Sequence, residues 1–328
     1  MTPLSVSVVI ACYTERRLPL ILRAVESAAI QRPAPQQVVL VVDHNPRLAA
    51  GLRDRLPTVT VIENRTHRGA SGARNTGAAA TATELVAFLD DDAVADPGWL
   101  AALAEAATQP GVVGAGGFVR PEWAAGVPAW FPGEFAWVVG ATHDGSPTVR
   151  TPVRNGWAEN MIVRRDAFVA VGGFRTGFGK VGAHSRPEDT DLCIRLQAAG
   201  GTWLFEPAAR VAHHVPAERS TLGFFLRRCY HEGRGKAELA RLLPDRGTAL
   251  SDERAYVTRV LPKAFARHVR RAVRERRAHH LLRAAAIVAG LAATAAGYAA
   301  QRLFDAVRPA APNPAAAAVP ADELAAAS

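Results

Sequence analysis

A chain of 328 residues, 49% hydrophobic and 21% charged with a formal net charge of +9, is long enough for one large α/β core with an appendage, and too apolar to be disordered except at its ends. Cys12, Cys193 and Cys229 are far apart and odd in number; this excludes a disulfide framework and a paired-cysteine zinc site, and fits a reducing, cytosolic compartment. No basic segment followed by an apolar core and a small-residue cleavage site opens the chain, so no secretion signal is expected.

Val6–Ala11 and Val38–Val42 are short β-branched runs on either side of a helical pattern from Pro19 to Ile30, which predicts a βαβ unit. The strand signal returns at Val59–Glu63 and Leu85–Leu89, with a helix predicted from about Gly72 to Thr81 between them. The first hundred residues therefore read as a doubly wound parallel sheet, whose ligands belong at the carboxyl ends of the strands. Thr14 and Glu15 follow the first strand, Asp43 the second, and Asp90-Asp91-Asp92 the fourth. Three adjacent carboxylates repel and raise one another's pKa, so they suggest a bound cation. Hard oxygen ligands suit Mg²⁺ or Mn²⁺ held against a diphosphate rather than Zn²⁺. The alternative is a solvated acidic turn before the helix that Asp96-Pro97-Gly98-Trp99 starts. A GxGxxG fingerprint is absent, but the glycine-rich loop Arg68 to Asn75 precedes a helix, so its amides and Arg74 have the chemistry to face a phosphate or base.

From Gly111 to Val153 the chain turns aromatic and loop-like, with Trp123, Trp130, Phe131, Phe135 and Trp137 among prolines and glycines. It reads either as an acceptor-facing lid or as small strands and turns at the sheet edge. Asn155-Gly156-Trp157-Ala158-Glu159-Asn160-Met161 then leads toward Gly172-Gly173-Phe174. Leu192, Leu196 and Ala199 space a helix that opens on Glu188, Asp189 and Asp191, and three acids in four positions exceed the needs of capping. A strand at Arg210–Ala212 precedes His213-His214. Arg219, Arg227, Arg228 and Lys236 either engage a phosphate or form the solvated face of an amphipathic helix packed by Leu222, Phe225 and Leu226.

Between Arg254 and Arg283 ten Lys and Arg residues stand against Glu275 alone, followed by an uncharged, alanine-rich stretch at 284–301. That stretch is close to the roughly 20 residues of a membrane span but weak in hydrophobicity. It either lies on or marginally crosses an anionic membrane, or packs on the protein by its alanine face. Nucleic acid is not an expected partner, because aromatic interleaving and a recognition motif are lacking. After Arg308 a disordered Pro/Ala-rich tail is expected.

From about residue 5 to residue 240 the chain resembles the family 2 glycosyltransferases. The resemblance is carried by Val8-Val9-Ile10-Ala11-Cys12-Tyr13-Thr14-Glu15, Asp43, Gly69 to Gly77 with Arg74 and Asn75, Phe88-Leu89-Asp90-Asp91-Asp92, Gly172-Gly173-Phe174 and Glu188-Asp189-Thr190-Asp191-Leu192. It implies an α/β GT-A fold, a Rossmann-like nucleotide-diphospho-sugar transferase domain at residues 1–245. A basic and alanine-rich helical, membrane-associating extension at 246–308 and the tail at 309–328 would follow. It also implies an inverting enzyme that uses a nucleoside-diphosphate sugar, a UDP-sugar first of all, with Mg²⁺ or Mn²⁺.

By the same resemblance Ala11, Thr14, Glu15, Asp43, Arg74, Asp90 and Asp91 bind the donor, with Thr14 and Asp43 toward the base. Asp90 and Asp92 stand in a DxD motif as metal ligands, and either His213 or His214 adds a metal or diphosphate contact. Asp189 is the general base, with Glu188 and Asp191 beside it. Trp157, Asn160, Arg219 and Arg228 face the acceptor or a phosphate. The acceptor class is a glycan or a polyprenyl-phosphate-linked sugar, and the place of action the inner face of the cell membrane in cell-surface glycan synthesis.

The chemistry of inverting transfer matches two acidic clusters about a hundred residues apart: one carboxylate deprotonates the acceptor while a cation takes up charge on the leaving diphosphate. A nucleotidyltransferase shares the sheet and the acids, but calls for a basic glycine-rich loop where Cys12-Tyr13-Thr14-Glu15 stands. A non-catalytic glycan- or membrane-binding module leaves Asp189 and the Asp90 triplet without a purpose.

Overall fold

The computed structural model describes residues 5–176, 178–181, 184–242 and 251–307. The tail at 309–328 and the boundary at 245 lie outside the described residues. Two compact units divide the described chain: one runs to Arg120 and resumes over Pro147–His213, and the other holds Pro121–Ser146 and the described residues between His214 and Val307. Within the second unit the helix at Leu222–Leu242 packs on the helix at His279–Val307.

In the first unit, strands β1 (Val6–Cys12), β2 (Gln37–Asp43), β3 (Thr60–Asn64) and β4 (Leu85–Asp90) alternate with helices α1 (Leu18–Ala29), α2 (Pro46–Arg55) and α3 (Ala70–Ala79). The strands pair in parallel in the order β3-β2-β1-β4. Val8 to Ile10, Val39 to Val42 and Leu85 to Leu89 are all buried, as continuous apolar runs must be when both faces of a parallel sheet are covered. Each run gives way to polar residues at its carboxyl end, and the register sets Ala11 against Asp90 and Asp43 against Asn64. Asn45 caps α2 by accepting from the Leu48 amide at 3.1 Å, ahead of Pro46 in the first turn.

Beyond β4 come β5 (Ala93–Ala95), α4 (Trp99–Ala107), β6 (Val112–Trp123), β7 (Thr151–Pro152), β8 (Asn160–Arg164), α5 (Arg165–Ala170), the hairpin β9 (Gly179–Val181) and β10 (His184–Arg186), α6 (Glu188–Ala198) and β11 (Thr202–Val215). Among the described residues they extend the sheet to nine strands in the order β3-β2-β1-β4-β8-β6-β11-β5, with β7 on β11, and β8 runs antiparallel to both β4 and β6. Val112–Trp123 was expected to be loop-like or at the sheet edge; instead it is a twelve-residue strand inside the sheet. Its glycines are the reason. A Cβ at Gly114 would fall 2.3 Å from the fully buried Trp203 ring, and one at Gly117 would fall 2.5 Å from the Asn160 side chain. Large side chains of neighbouring strands fill the space the glycines leave, which weakens the strand signal in sequence.

The second unit contains α7 (Leu222–Leu242), α8 (Ser251–Ala255), a π-helical turn at Tyr256–Val260, α9 (Leu261–Glu275) and α10 (His279–Val307). The aromatic stretch supplies its core: Trp130, Phe131 and Phe135 pack on Phe225 at ring separations of 5.4, 6.0 and 5.3 Å. The basic segment is two helices rather than one, broken where Arg276 adopts a left-handed φ of 52°. Cys12, Cys193 and Cys229 are buried free thiols whose pKa values burial pushes up.

Candidate active site

The polar residues at the strand ends build one connected cluster. Asp43 closes β2 and accepts from Asn64 Nδ2 at 2.6 Å and from the Gly69 amide at 2.9 Å. Asn64 in turn donates to His67 O and accepts from Thr66 and Thr76, so the glycine-rich loop is moored to two adjacent strand ends. Thr14 caps the 3-10 turn Glu15–Arg17, and exposed Glu15 accepts from Asn45 at 3.1 Å. Ala11 is half-buried between Val41 and Asp90.

Arg74, buried on α3, reaches Asp90 Oδ1 at 2.6 Å and Glu188 Oε1 at 3.2 Å. One guanidinium thereby joins the acidic end of β4 to the acidic start of α6. Burial pushes the Glu188 carboxyl up to about 7, Asp189 beside it adds to the rise, and Arg74 opposes both. Asn75 clamps the next motif, donating to Phe174 O at 2.7 Å and accepting from Phe174 N at 2.9 Å. Gly173 has a left-handed φ of 64°, and a Cβ there would fall 2.7 Å from Asn75 Oδ1, so glycine is required on both counts.

Arg17 Nη1 lies 2.7 Å from Asp91 Oδ1 and 3.0 Å from Asp92 Oδ2. Burial holds the Asp91 carboxyl up near 7 against the pull of Arg17, and the charges of Asp92 and Asp90 reinforce the rise. On the far side of the triplet, β5 and β11 pair His213 with Ala93, setting His213 Nε2 3.4 Å from Asp92 Oδ1 and Nδ1 3.8 Å from Glu159 Oε2. Side chains alternate along a strand, so His214 projects from the opposite face of β11. Glu159 is buried, and its carboxyl is pushed up to about 8 by burial; His213 works against the shift, while Asp90, Asp92 and Asp189 add to it. Asp189, half-buried at the start of α6, accepts from the Thr190 amide at 2.6 Å.

The structure thus brings Asp90, Asp91, Asp92, Glu188, Asp189 and His213 together, and it adds Arg17, Asn64 and Glu159, which sequence reasoning did not select. Neither Glu159, a carboxylate just before the apolar run Met161–Val163, nor Arg17 carries a signal that sets it apart from a surface residue. Two candidates have other work. Asp191 is buried between Arg195 at 2.8 Å and Arg175 at 3.3 Å, and Arg195 also donates to Val171 O and Gly173 O. Its charge fixes the Gly172-Gly173 turn. Asn160 is fully buried: its Oδ1 accepts from Trp99 Nε1 at 2.8 Å, and its Nδ2 donates to Phe118 O and Ala209 O at 3.1 and 3.0 Å. Both its donor hydrogens and its oxygen are engaged inside the protein, so it is an amide clamp between strands and does not face an acceptor. Trp157 is half-buried just before it. Arg219 and Arg228 belong to the second unit, where Arg228 pairs with Glu232 at 2.7 Å and lies 5.9 Å from the Trp137 ring.

The donor chemistry of the cluster fits a hard cation shared with a substrate. Asp91 Oδ2 and Glu159 Oε1 are buried oxygens without a hydrogen-bond partner, and Asp92 with His213 offers one carboxylate and one imidazole. Among the described residues no three His, Cys, Asp or Glu side chains are placed to hold an ion by themselves. A divalent cation held there would need further oxygen ligands from a bound substrate.

Comparison with known proteins agrees with the geometry. The family model "Glycosyl transferase family 2" matches residues 7–172. The glucosyl-dolichyl phosphate glucuronosyltransferase of Haloferax volcanii is 32% identical over 260 residues, covering 77% of this chain and 82% of its own. The succinoglycan biosynthesis protein ExoM of Rhizobium meliloti is 29% identical over 244 residues, covering 72% and 75%. Among solved structures, the mannosyltransferase PcManGT from Pyrobaculum calidifontis in complex with GDP-Man and Mn²⁺ superposes with a TM-score of 0.53 at 19% identity, over 100% of this chain and 86% of that one. GalNAc-T7 with UDP, GalNAc and Mn²⁺ gives a TM-score of 0.53 at 16% identity, over 76% and 54%. At those identities the likeness is one of fold, the GT-A fold. With the acidic ends of β4 and α6 joined through Arg74 in such a sheet, the chain belongs to glycosyl transferase family 2 and is a glycosyltransferase.

Proposed function

We propose that the chain moves a sugar from a nucleoside-diphosphate sugar to a hydroxyl or phosphate acceptor with inversion, in the synthesis of a lipid-linked or polymeric cell-surface glycan at the inner face of the cell membrane. The observation that carries the reading is Arg74, which spans Asp90 and Glu188 and so draws the two acidic clusters into one site. Thr14 and Asp43 at the ends of β1 and β2 take the base, with Ala11 and Glu15 nearby, and Asp90 and Asp91 the ribose and diphosphate side. Asp92 and His213 would hold a divalent cation, Mg²⁺ or Mn²⁺, which supplies positive charge to the departing nucleoside diphosphate.

Asp189 takes the acceptor's proton. It stands among the acids at the start of α6, where a helix N-terminus favours a carboxylate. Glu188 holds Arg74 in place. The acceptor class rests on the relatives' names, one a dolichyl-phosphate glucuronosyltransferase and one a succinoglycan biosynthesis protein. A UDP-sugar is the first donor to test.

Asp189→Asn keeps the side-chain size and removes the base. Sugar transfer should fall by about 10² or more while donor affinity, measured by calorimetry on the same preparation, stays within about twofold. Near-normal transfer would remove Asp189 from the base role, and loss of donor binding alone would make it a donor ligand.

A further inference from the structure

Helix α10 carries no charged residue between Arg283 and Arg302, and its two faces meet different surroundings. Ala284, Ile287, Gly290 and Gly297 are buried. A Cβ at Gly297 would fall 1.9 Å from Tyr230 O of α7, and a Cβ at Gly233 of α7 would fall 1.9 Å from Thr294 O, so the two helices touch backbone to backbone. The opposite face presents Leu281, Ala285, Val288, Ala292, Ala299 and Leu303, all exposed, with Val288 at 55% and Leu303 at 71%. A solvated helix puts charges on its outer face. Here roughly 25 Å of helix, from residue 285 to 301 at about 1.5 Å per residue, puts none there.

The neighbouring helix supplies the complement. Leu261, Ala264, His268 and Ala272 form the buried stripe of α9, Lys263, Arg270 and Arg274 are exposed on the opposite face, and Val273 and Phe265, 75% and 40% exposed, line the strip between the two. An exposed apolar strip flanked by a cationic face is what a helix presents when it lies in the head-group layer of a membrane.

We infer that α9 and α10 dock the protein flat on an anionic lipid bilayer, with the outer face of α10 at the acyl boundary and the cations of α9 on lipid phosphates. By length and composition α10 is also able to cross a membrane. Crossing, however, would carry α7 into hydrocarbon with Arg227, Arg228, Glu232, Arg234 and Lys236, five charged groups of which Glu232 neutralises only one, even while it pairs with Arg228 and Lys236. Arg234 moreover donates to Gln301 at 3.0 and 2.9 Å, tying the far end of α10 to α7. A second copy as the occupant is disfavoured by charge, since a two-fold contact would press two cationic α9 faces together. The inference stands on the second unit alone and does not depend on the donor or the transfer chemistry.

Full-length protein should co-sediment with vesicles of phosphatidylcholine mixed with phosphatidylglycerol, bind phosphatidylcholine alone far more weakly, and be released by high salt. Replacing Lys263, Arg270 and Arg274 together by Gln should weaken binding by about 10²-fold, about fivefold for each cation. Val288→Gln with Leu303→Gln should weaken it further, with the circular dichroism spectrum unchanged. Equal binding to both vesicle types, or none to either, would overturn the inference. So would protein that stays bound in high salt and alkaline carbonate, the mark of a span, or a dimer in velocity sedimentation that the Val288 and Leu303 changes dissolve. Donor hydrolysis on the same preparations separates the two readings: protein that hydrolyses donor without binding vesicles sinks the docking alone, and protein that binds vesicles without touching any donor upholds docking while sinking the transferase reading.

Discussion

Arg17 and Arg74 set the electrostatics of the ligand-free site. Six carboxylates converge there, and the two guanidiniums offset part of their mutual repulsion at contacts of 2.6 to 3.2 Å. Arg17 holds one oxygen of Asp91 and one of Asp92, so its charge competes with a cation for the same carboxylates. Arg17→Ala should therefore bind Mn²⁺ alone about tenfold more tightly in calorimetry, the scale of one charge-assisted hydrogen bond; unchanged or weaker binding would show that its contact does not compete. At this scale the sequence named the residues whose identity announces charge, Asp43, Arg74, Asp90 to Asp92, Glu188 and Asp189, and it left His213 and His214 equal. Strand alternation decided between the histidines. Arg17 and Glu159 stayed hidden because an arginine after a turn and a carboxylate before a strand are common on any surface, and only the fold turns them inward.

At the scale of elements, composition was readable where one residue class fills a strand and misleading where two elements share the work. The parallel strands β1 to β4 are legible because each is buried on both faces by its own apolar side chains. Strand β6 is not, since Gly114 and Gly117 surrender their volume to Trp203 and Asn160 from other strands. Helix α10 reads as a membrane span for the same reason: its small residues serve close packing on α7 as well as low polarity. Gly297→Val should cost about 3 kcal/mol in urea unfolding, the upper end of overpacking, because the added atoms meet the Tyr230 carbonyl rather than a yielding side chain. Ala295→Val on the exposed face should stay within about 1 kcal/mol, the loss of helix propensity alone. Equal costs at the two positions would mean that α10 is not seated on α7 as described.

For the whole molecule, the decisive question is whether a cation belongs to the fold or to the reaction. Two arginines partly offset the acidic cluster, and no three ligands among the described residues close around an ion, so a chelator alone should leave the melting temperature unchanged. A nucleoside diphosphate with Mn²⁺ at about 100 times its dissociation constant should stabilise by about 2.7 kcal/mol, a rise of several degrees that the chelator abolishes. A fall in melting temperature with chelator alone would instead make the metal structural. The sequence by itself determined the α/β class, the family and the order of the acidic motifs, because strand periodicity and motif spacing are properties of contiguous residues. Only the tertiary structure decided that Asp191 and Asn160 are spent inside the protein and that the aromatic stretch is a core. It alone brought His213, Arg17 and Glu159 to the acids, for pairing across elements far apart in the chain leaves no periodic trace in either partner.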